Sequence, residues 1–245
     1  PKPSNFQFLE NLKKERRQGN FLPPFSLSKP TFRLAENCIV ENITYMKSIL
    51  SILLFLASSN FFFLNAGDWP SWRGESRDDI SMEKGLLKKW PTSGPKKLWM
   101  TNDGGLGYAG FSISNGALYT MGAFGGKEKL IAYRAVSKSS QNQRVWDLDV
   151  GDLLTNGWGD GPRTTPTVAN GKVYALGGKG NLVCADARTG EKHWEVHMVR
   201  DLGGKVPGWG YTESVLVDQG RVICTPGGNG GALTALNANT GKVIW

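Results

Sequence analysis

The sequence predicts an all-β chain forming part of a β-propeller, and three observations carry that expectation. A unit recurs: Gly190 and Gly241 lie 51 residues apart, as do Trp194 and Trp245, while Gly171 and Gly220 lie 49 apart. Within each unit the apolar residues alternate, which is the period of strands and not of helices. The two later units also close on a tight Thr-Gly turn followed by Trp, and in the first a longer polar loop, Val136 to Arg144, stands in that turn's place before Trp146. Four short strands at a spacing of about 50 residues are the pattern of a propeller blade.

Residues 1–45 mix basic runs (Lys13, Lys14, Arg16, Arg17) with scattered aromatics and show no period. Met46-Lys47, the apolar run 49–57, a polar break at 58–60 and the small residue Ala66 before Gly67 predict a secretory signal peptide over 46–66. A retained anchor is the alternative, although the apolar stretch is marginal for a spanning helix. With Met46 as the start, residues 1–45 are an upstream extension outside any folded domain, or else a disordered basic arm. The chain begins at Pro1 and stops at Trp245 as a strand starts, so truncation at both ends is expected.

The net charge of +8 loses its force once the leader is set aside. Residues 1–66 hold eight Lys/Arg and four Asp/Glu, so the remainder carries 21 basic against 17 acidic groups, net +4. So mild and scattered a charge does not indicate a nucleic-acid binder, and none is expected as a partner. A periplasmic or secreted protein is expected, with no stable membrane span after cleavage.

Residues 67–105 form an arm rich in Trp, Pro and charge. Trp69, Trp72 and Trp90 are expected to pack it against the propeller's side, or to complete the last blade, and not to serve as a ligand platform. The blades occupy 106–245. In the first, Phe111 to Ser114, Ala117 to Thr120 and Leu130 to Tyr133 are strands, and Trp146 lies 48 residues before Trp194. The second runs from Thr164 to Trp194, with turns at Asn170-Gly171, Gly177 to Gly180 and Thr189-Gly190. The third repeats it from Ser214 to Trp245. A single blade cannot bury both its faces, so blades must stack, and the recurring Trp is the expected wedge. Three blades are present. Seven or eight would need about 350 to 400 residues on this spacing.

Several apparent motifs dissolve under the same pattern. His193, Glu195 and His197 lie on a strand, where four residues span about 13 Å, too far for two His to share one ion. Gly177 to Gly180 and Gly227 to Gly231 are repeat turns, not phosphate loops, since no helix follows. Cys184 and Cys224 sit inside strands at non-equivalent repeat positions. There a Cys behaves as a small hydrophobe, and a disulfide between them is left open.

The unit Ala185 to Trp194, repeated as Leu236 to Trp245, resembles the repeat of the pyrroloquinoline quinone (PQQ)-like propeller superfamily. That superfamily includes quinoprotein alcohol dehydrogenases and the propeller lipoprotein of the outer-membrane assembly machine. Asp68-Trp69-Pro70-Ser71-Trp72-Arg73-Gly74 with Arg77-Asp78, and Gly204 to Tyr211, look like a secreted bacterial group common in planctomycetes. Glu75 and Asp79 depart from that group's Pro and Gly. No Cys follows Ala66 for lipid attachment, and no adjacent Cys pair of the dehydrogenase kind occurs.

Propeller ligands bind at the central channel, beside the loops that feed the innermost strands. Here those loops are 104–110, 155–165 and 201–214. They hold Tyr108, Trp158 and Asp160 together with the candidate cofactor-binding residues Arg163, Thr164, Trp209, Tyr211 and Glu213. The resemblance implies PQQ and Ca2+, with Glu213 as a carboxylate on the metal and Arg163 on a carboxylate or quinone oxygen. The alternative is loop-to-loop hydrogen bonding around a structural channel. Two functions follow from the resemblance: an exported scaffold taking a protein or small molecule at the channel, or a quinoprotein-type alcohol or sugar dehydrogenase.

Overall fold

The computed structural model describes residues 67–135, 143–229 and 231–245. The expected extension (1–45) and signal peptide (46–66), most of the polar loop after the first blade's third strand, and Gly230 lie outside them. The described residues contain eleven strands and no helix.

The strands form three antiparallel meanders. The first sheet is β1 (Phe111–Ser114), β2 (Ala117–Phe124), β3 (Lys127–Arg134) and β4 (Arg144–Asp152); the second is β5 (Thr167–Ala169), β6 (Lys172–Leu176), β7 (Asn181–Asp186) and β8 (Lys192–His197). In the third, β9 (Leu216–Asp218), β10 (Arg221–Cys224) and β11 (Thr234–Asn237) pair in order. The last residues return along β11, with Leu236 bridging Val243 and the Ala235 amide donating to the Trp245 carbonyl at 2.8 Å. The expected propeller blades are therefore the observed sheets.

Strand alternation divides each sheet between two hydrophobic layers. Val173, Ala175, Val183 and Ala185 of the second sheet pack with Tyr119, Met121, Leu130, Ala132 and Val150 of the first. Tyr174, Leu176, Leu182, Cys184 and Trp194, on the opposite face, pack with Val222, Cys224 and Leu236 of the third. Successive β-strand residues point to opposite sides, so a one-residue change of phase would empty both layers.

The Trp wedge is explicit. The Trp194 indole donates to the Ala238 carbonyl at 3.1 Å, and the Tyr174 hydroxyl donates to the same oxygen at 3.2 Å. The ring lies on Gly241, whose φ is +69° and where a Cβ would fall 2.9 Å from the indole. Trp146 sits likewise on Gly190, and the Tyr119 hydroxyl donates to the Ala187 carbonyl at 3.0 Å. The turns themselves are closed by Asp186 and Asn237. Asp186 Oδ1 accepts from the Arg188 and Thr189 amides and the Thr189 hydroxyl, and Asn237 Oδ1 from the Asn239 and Thr240 amides. Arg134 holds the equivalent place in the first blade, and its side chain has no acceptor to offer.

The arm behaves differently from the expectation. Trp69 pairs with Ile113 of β1 through two backbone bonds of 2.8 Å, and the Pro70 carbonyl accepts from Val168 of β5 at 2.7 Å. Arg77 then donates to the Ser214 and Val215 carbonyls at 3.1 and 2.6 Å, at the entry to β9. The arm thus crosses the first strands of all three blades in turn, and not their outer side. Trp72 and Trp90 are 52% and 64% exposed, because neither belongs to the paired stretch. Trp99 fills the packing role instead: its indole donates to the Ala135 carbonyl at 3.1 Å and stacks on Tyr133 at 6.4 Å. Ala135, Ala187 and Ala238 each donate to the glycine carbonyl of their own blade's first hairpin turn, so Trp99 stands to the first blade as Trp194 stands to the third.

Candidate functional site

Three loops meet at one end of the sheets, and backbone chemistry brings them together. The Tyr108 amide donates to the Pro162 carbonyl at 2.8 Å, and the Asn156 side-chain amide to the Gly208 carbonyl at 2.8 Å. Arg163 ties its own loop to the third, Nη2 donating to the Gly159 carbonyl at 2.6 Å and Nε to the Trp209 carbonyl at 2.8 Å. Its guanidinium lies 5.1 Å from the Tyr108 ring centroid, within cation–π range.

Around that arginine stand three exposed aromatics. Trp158, Tyr108 and Trp209 are 74%, 60% and 53% exposed, and the two indoles lie 5.2 Å apart at 34°. Apolar rings so exposed, yet held by hydrogen-bonded loops, offer a preformed stacking surface. Asn156 locks the turn that carries Trp158: its amide donates to Asp160 Oδ1 at 2.9 Å and its own Oδ1 accepts from the Trp158 amide at 3.0 Å.

The five residues singled out from sequence do not all come together. Arg163 and Trp209 come together in this cluster. Thr164 is buried, with its hydroxyl donating to the Leu176 carbonyl at 2.7 Å. Tyr211 is buried against Gly180 and Met198, and its hydroxyl donates to the Pro226 carbonyl at 2.8 Å. Burial holds that phenol above its ordinary range, with the Glu213 charge adding to the effect. Glu213 itself accepts the Thr225 amide at 2.6 Å. Arg77 lies within its field: burial lowers the Arg77 guanidinium, and the Glu213 charge partly restores it.

Beneath the cluster is a residue the sequence reading missed. Glu128 on β3 is fully buried; Oε1 accepts the Leu154 amide at 3.0 Å and Oε2 the Gly178 amide at 2.8 Å. Burial raises its carboxyl above the usual glutamate range, opposed by those two bonds and by the charges of Lys179 and Arg163. A signal was present. Glu128 shares strand parity with the core residues Leu130 and Ala132, where an acid is out of place.

Residues 127–245 match the sequence model of a PQQ-type repeat family described as outer membrane protein assembly factor BamB. Over this part, just under half of the chain, the repeats resemble those of the PQQ-like family. Over 110 residues it is 32% identical to the dehydrogenase subunit of the quinone alcohol dehydrogenase of Komagataeibacter europaeus, a match spanning 41% of this chain and 15% of that protein. Among solved structures, the quinohemoprotein alcohol dehydrogenase of Comamonas testosteroni aligns with 77% of this chain and 28% of its own, at 21% identity and a TM-score of 0.46. BamB of Moraxella catarrhalis aligns over 57% and 48%, at 19% identity and a TM-score of 0.33. The chain therefore spans well under two thirds of each of these proteins.

The cofactors that the PQQ-like resemblance implies fit this propeller unequally. A flat anionic ring would meet the exposed faces of Trp158 and Trp209 beside the Arg163 guanidinium. Thr164 and Tyr211 do not fit as contacts, since both hydroxyls are spent on buried carbonyls. A Ca2+ ion asks for six to eight oxygens. Among the described residues no three His, Cys, Asp or Glu gather to hold a metal. Among those same residues no helix is long and apolar enough to cross a membrane.

Proposed function

We propose that this chain serves as an exported, periplasmic or secreted PQQ-like propeller that binds a protein or small-molecule ligand on the end where Tyr108, Trp158, Arg163 and Trp209 meet. One observation carries the reading: an exposed indole pair at 5.2 Å, flanked by a guanidinium already seated by two hydrogen bonds. A surface ordered before its ligand arrives loses little side-chain freedom on binding. The arm bears on where the ligand goes, because residues 69–77 already occupy the inner strands. The loop end, and not the depth of the channel, is the free surface.

The second reading is a quinoprotein-type alcohol or sugar dehydrogenase using PQQ and Ca2+. It is favoured by the 32% identity to a quinone alcohol dehydrogenase subunit. Here PQQ would supply the two-electron acceptor, and this chain's part would be to stack and orient the ring with Trp158, Trp209 and Arg163. The two readings are separated by adding PQQ and Ca2+ to the purified protein and following reduction of an artificial dye with alcohols and sugars. No turnover is expected. Clear turnover would replace the scaffold reading with the dehydrogenase, and Glu213→Gln would then abolish it if Glu213 binds Ca2+.

A further inference from the structure

We infer that Glu128 is the positioning residue of the aromatic surface, a single buried carboxylate on which both tryptophan-bearing loops are registered. The chain of bonds is short on each side. Toward Trp158, Glu128 Oε1 holds the Leu154 amide, and the Leu154 carbonyl in turn accepts the Gly161 amide at 2.9 Å, closing the loop that carries Trp158. Toward Trp209, Oε2 holds the Gly178 amide, and the Gly178 carbonyl accepts the Tyr211 amide at 2.9 Å, two residues from Trp209. The Leu154 side chain lies in the seam, against Gly178 and Gly210, where neither position leaves room for a Cβ. Glu128 thus joins the exit of the first blade, a turn of the second and the entry loop of the third.

Each oxygen serves a different blade, so the arrangement needs both as acceptors. Protonation turns one into an O–H and weakens its hold on the facing N–H, while the fold keeps its two hydrophobic layers. The charges facing Glu128 are Lys179 from the second blade's turn and Arg163 from the loop itself, and both favour the ionised form. On its own strand, Lys127 and Lys129 are engaged outward with Asp152, Asp147 and Asp149. Burial outweighs these charges and places the protonation above the ordinary glutamate range. Acidification from neutral pH should therefore loosen the loops before ordinary carboxylates titrate.

The functional consequence rests on the ligand-surface reading above, whereas the geometry can be tested without any ligand. Two indoles at this separation give an exciton-coupled circular dichroism band, which Trp158→Phe removes and so identifies. In the intact chain, the band is expected to collapse on acidification with a midpoint above the usual glutamate range. In Glu128→Gln it should be weak at every pH, while the β-sheet signal stays. A band unchanged from neutral pH down to pH 4 in the unmodified protein, or a full band in folded Glu128→Gln, overturns the inference. Should Glu128→Gln fail to fold, the titration of the unmodified protein decides alone. A lost band with unchanged dye-reduction results would separate this inference from the assignment of function.

Discussion

At the residue scale, the polar side chains of this propeller are explained by what they close. Asp186 and Asn237 accept turn amides, Thr164 and Tyr211 cap buried carbonyls, and Glu128 gathers two amides from different blades. Cys184 and Cys224 are both free and buried in the layer between the second and third blades. Burial pushes their thiols to about 11 and about 12, with the Glu213 charge adding to the second. Thiolate is the reactive form, so neither should be alkylated by iodoacetamide at pH 8 until the protein is unfolded. Rapid labelling of either in the native protein, located by peptide mass, would show the layer to be open.

Gly241 and Trp194 belong to the element scale, where a turn of one blade meets the wedge of the one before. Trp194 is 8% exposed and Trp90 64%. Trp194→Ala is expected to cost about 3–5 kcal/mol, in line with buried aromatic truncations, and Trp90→Ala to stay within about 0.5 kcal/mol. Denaturant unfolding of the two variants side by side checks the contrast; equal losses would remove the wedge. Gly241 and Gly116 share a positive φ, but only Gly241 has a ring above it. Both should lose at least about 1 kcal/mol on substitution by Ala, with Gly241→Ala the worse of the two because the indole must also move.

Across the whole molecule, the arm ties three blades together along their first strands. Arg77→Ala removes two charge-assisted bonds to the Ser214 and Val215 carbonyls, each of a kind worth about 1.5–3 kcal/mol. Residues 69–79 should then become cleavable by protease under native conditions while the sheets persist. Unaltered resistance would mean that the bonds of Trp69 to Ile113 and of Pro70 to Val168 retain the arm without Arg77.

Repeat length, strand phase and wedge were all legible in the order of residues, because a period of two within a strand and near fifty between blades leaves a pattern that sidedness enforces. The loop contents were legible only as a list. Thr164, Tyr211 and Arg163 are alike in being polar or amphipathic residues near a channel, and nothing in their spacing says which hydroxyl turns inward to a carbonyl and which cation stays at the surface. That was decided by stacking. Glu128 and Gly178 are 50 residues apart in the chain, and Arg163 and Trp209 are 46 apart, yet each pair is bonded because neighbouring blades bring equivalent ends together. Side-chain alternation is a local property of backbone geometry and survives in one dimension. Contact between loops depends on how the blades are fanned, and it exists only once the layers between them have closed.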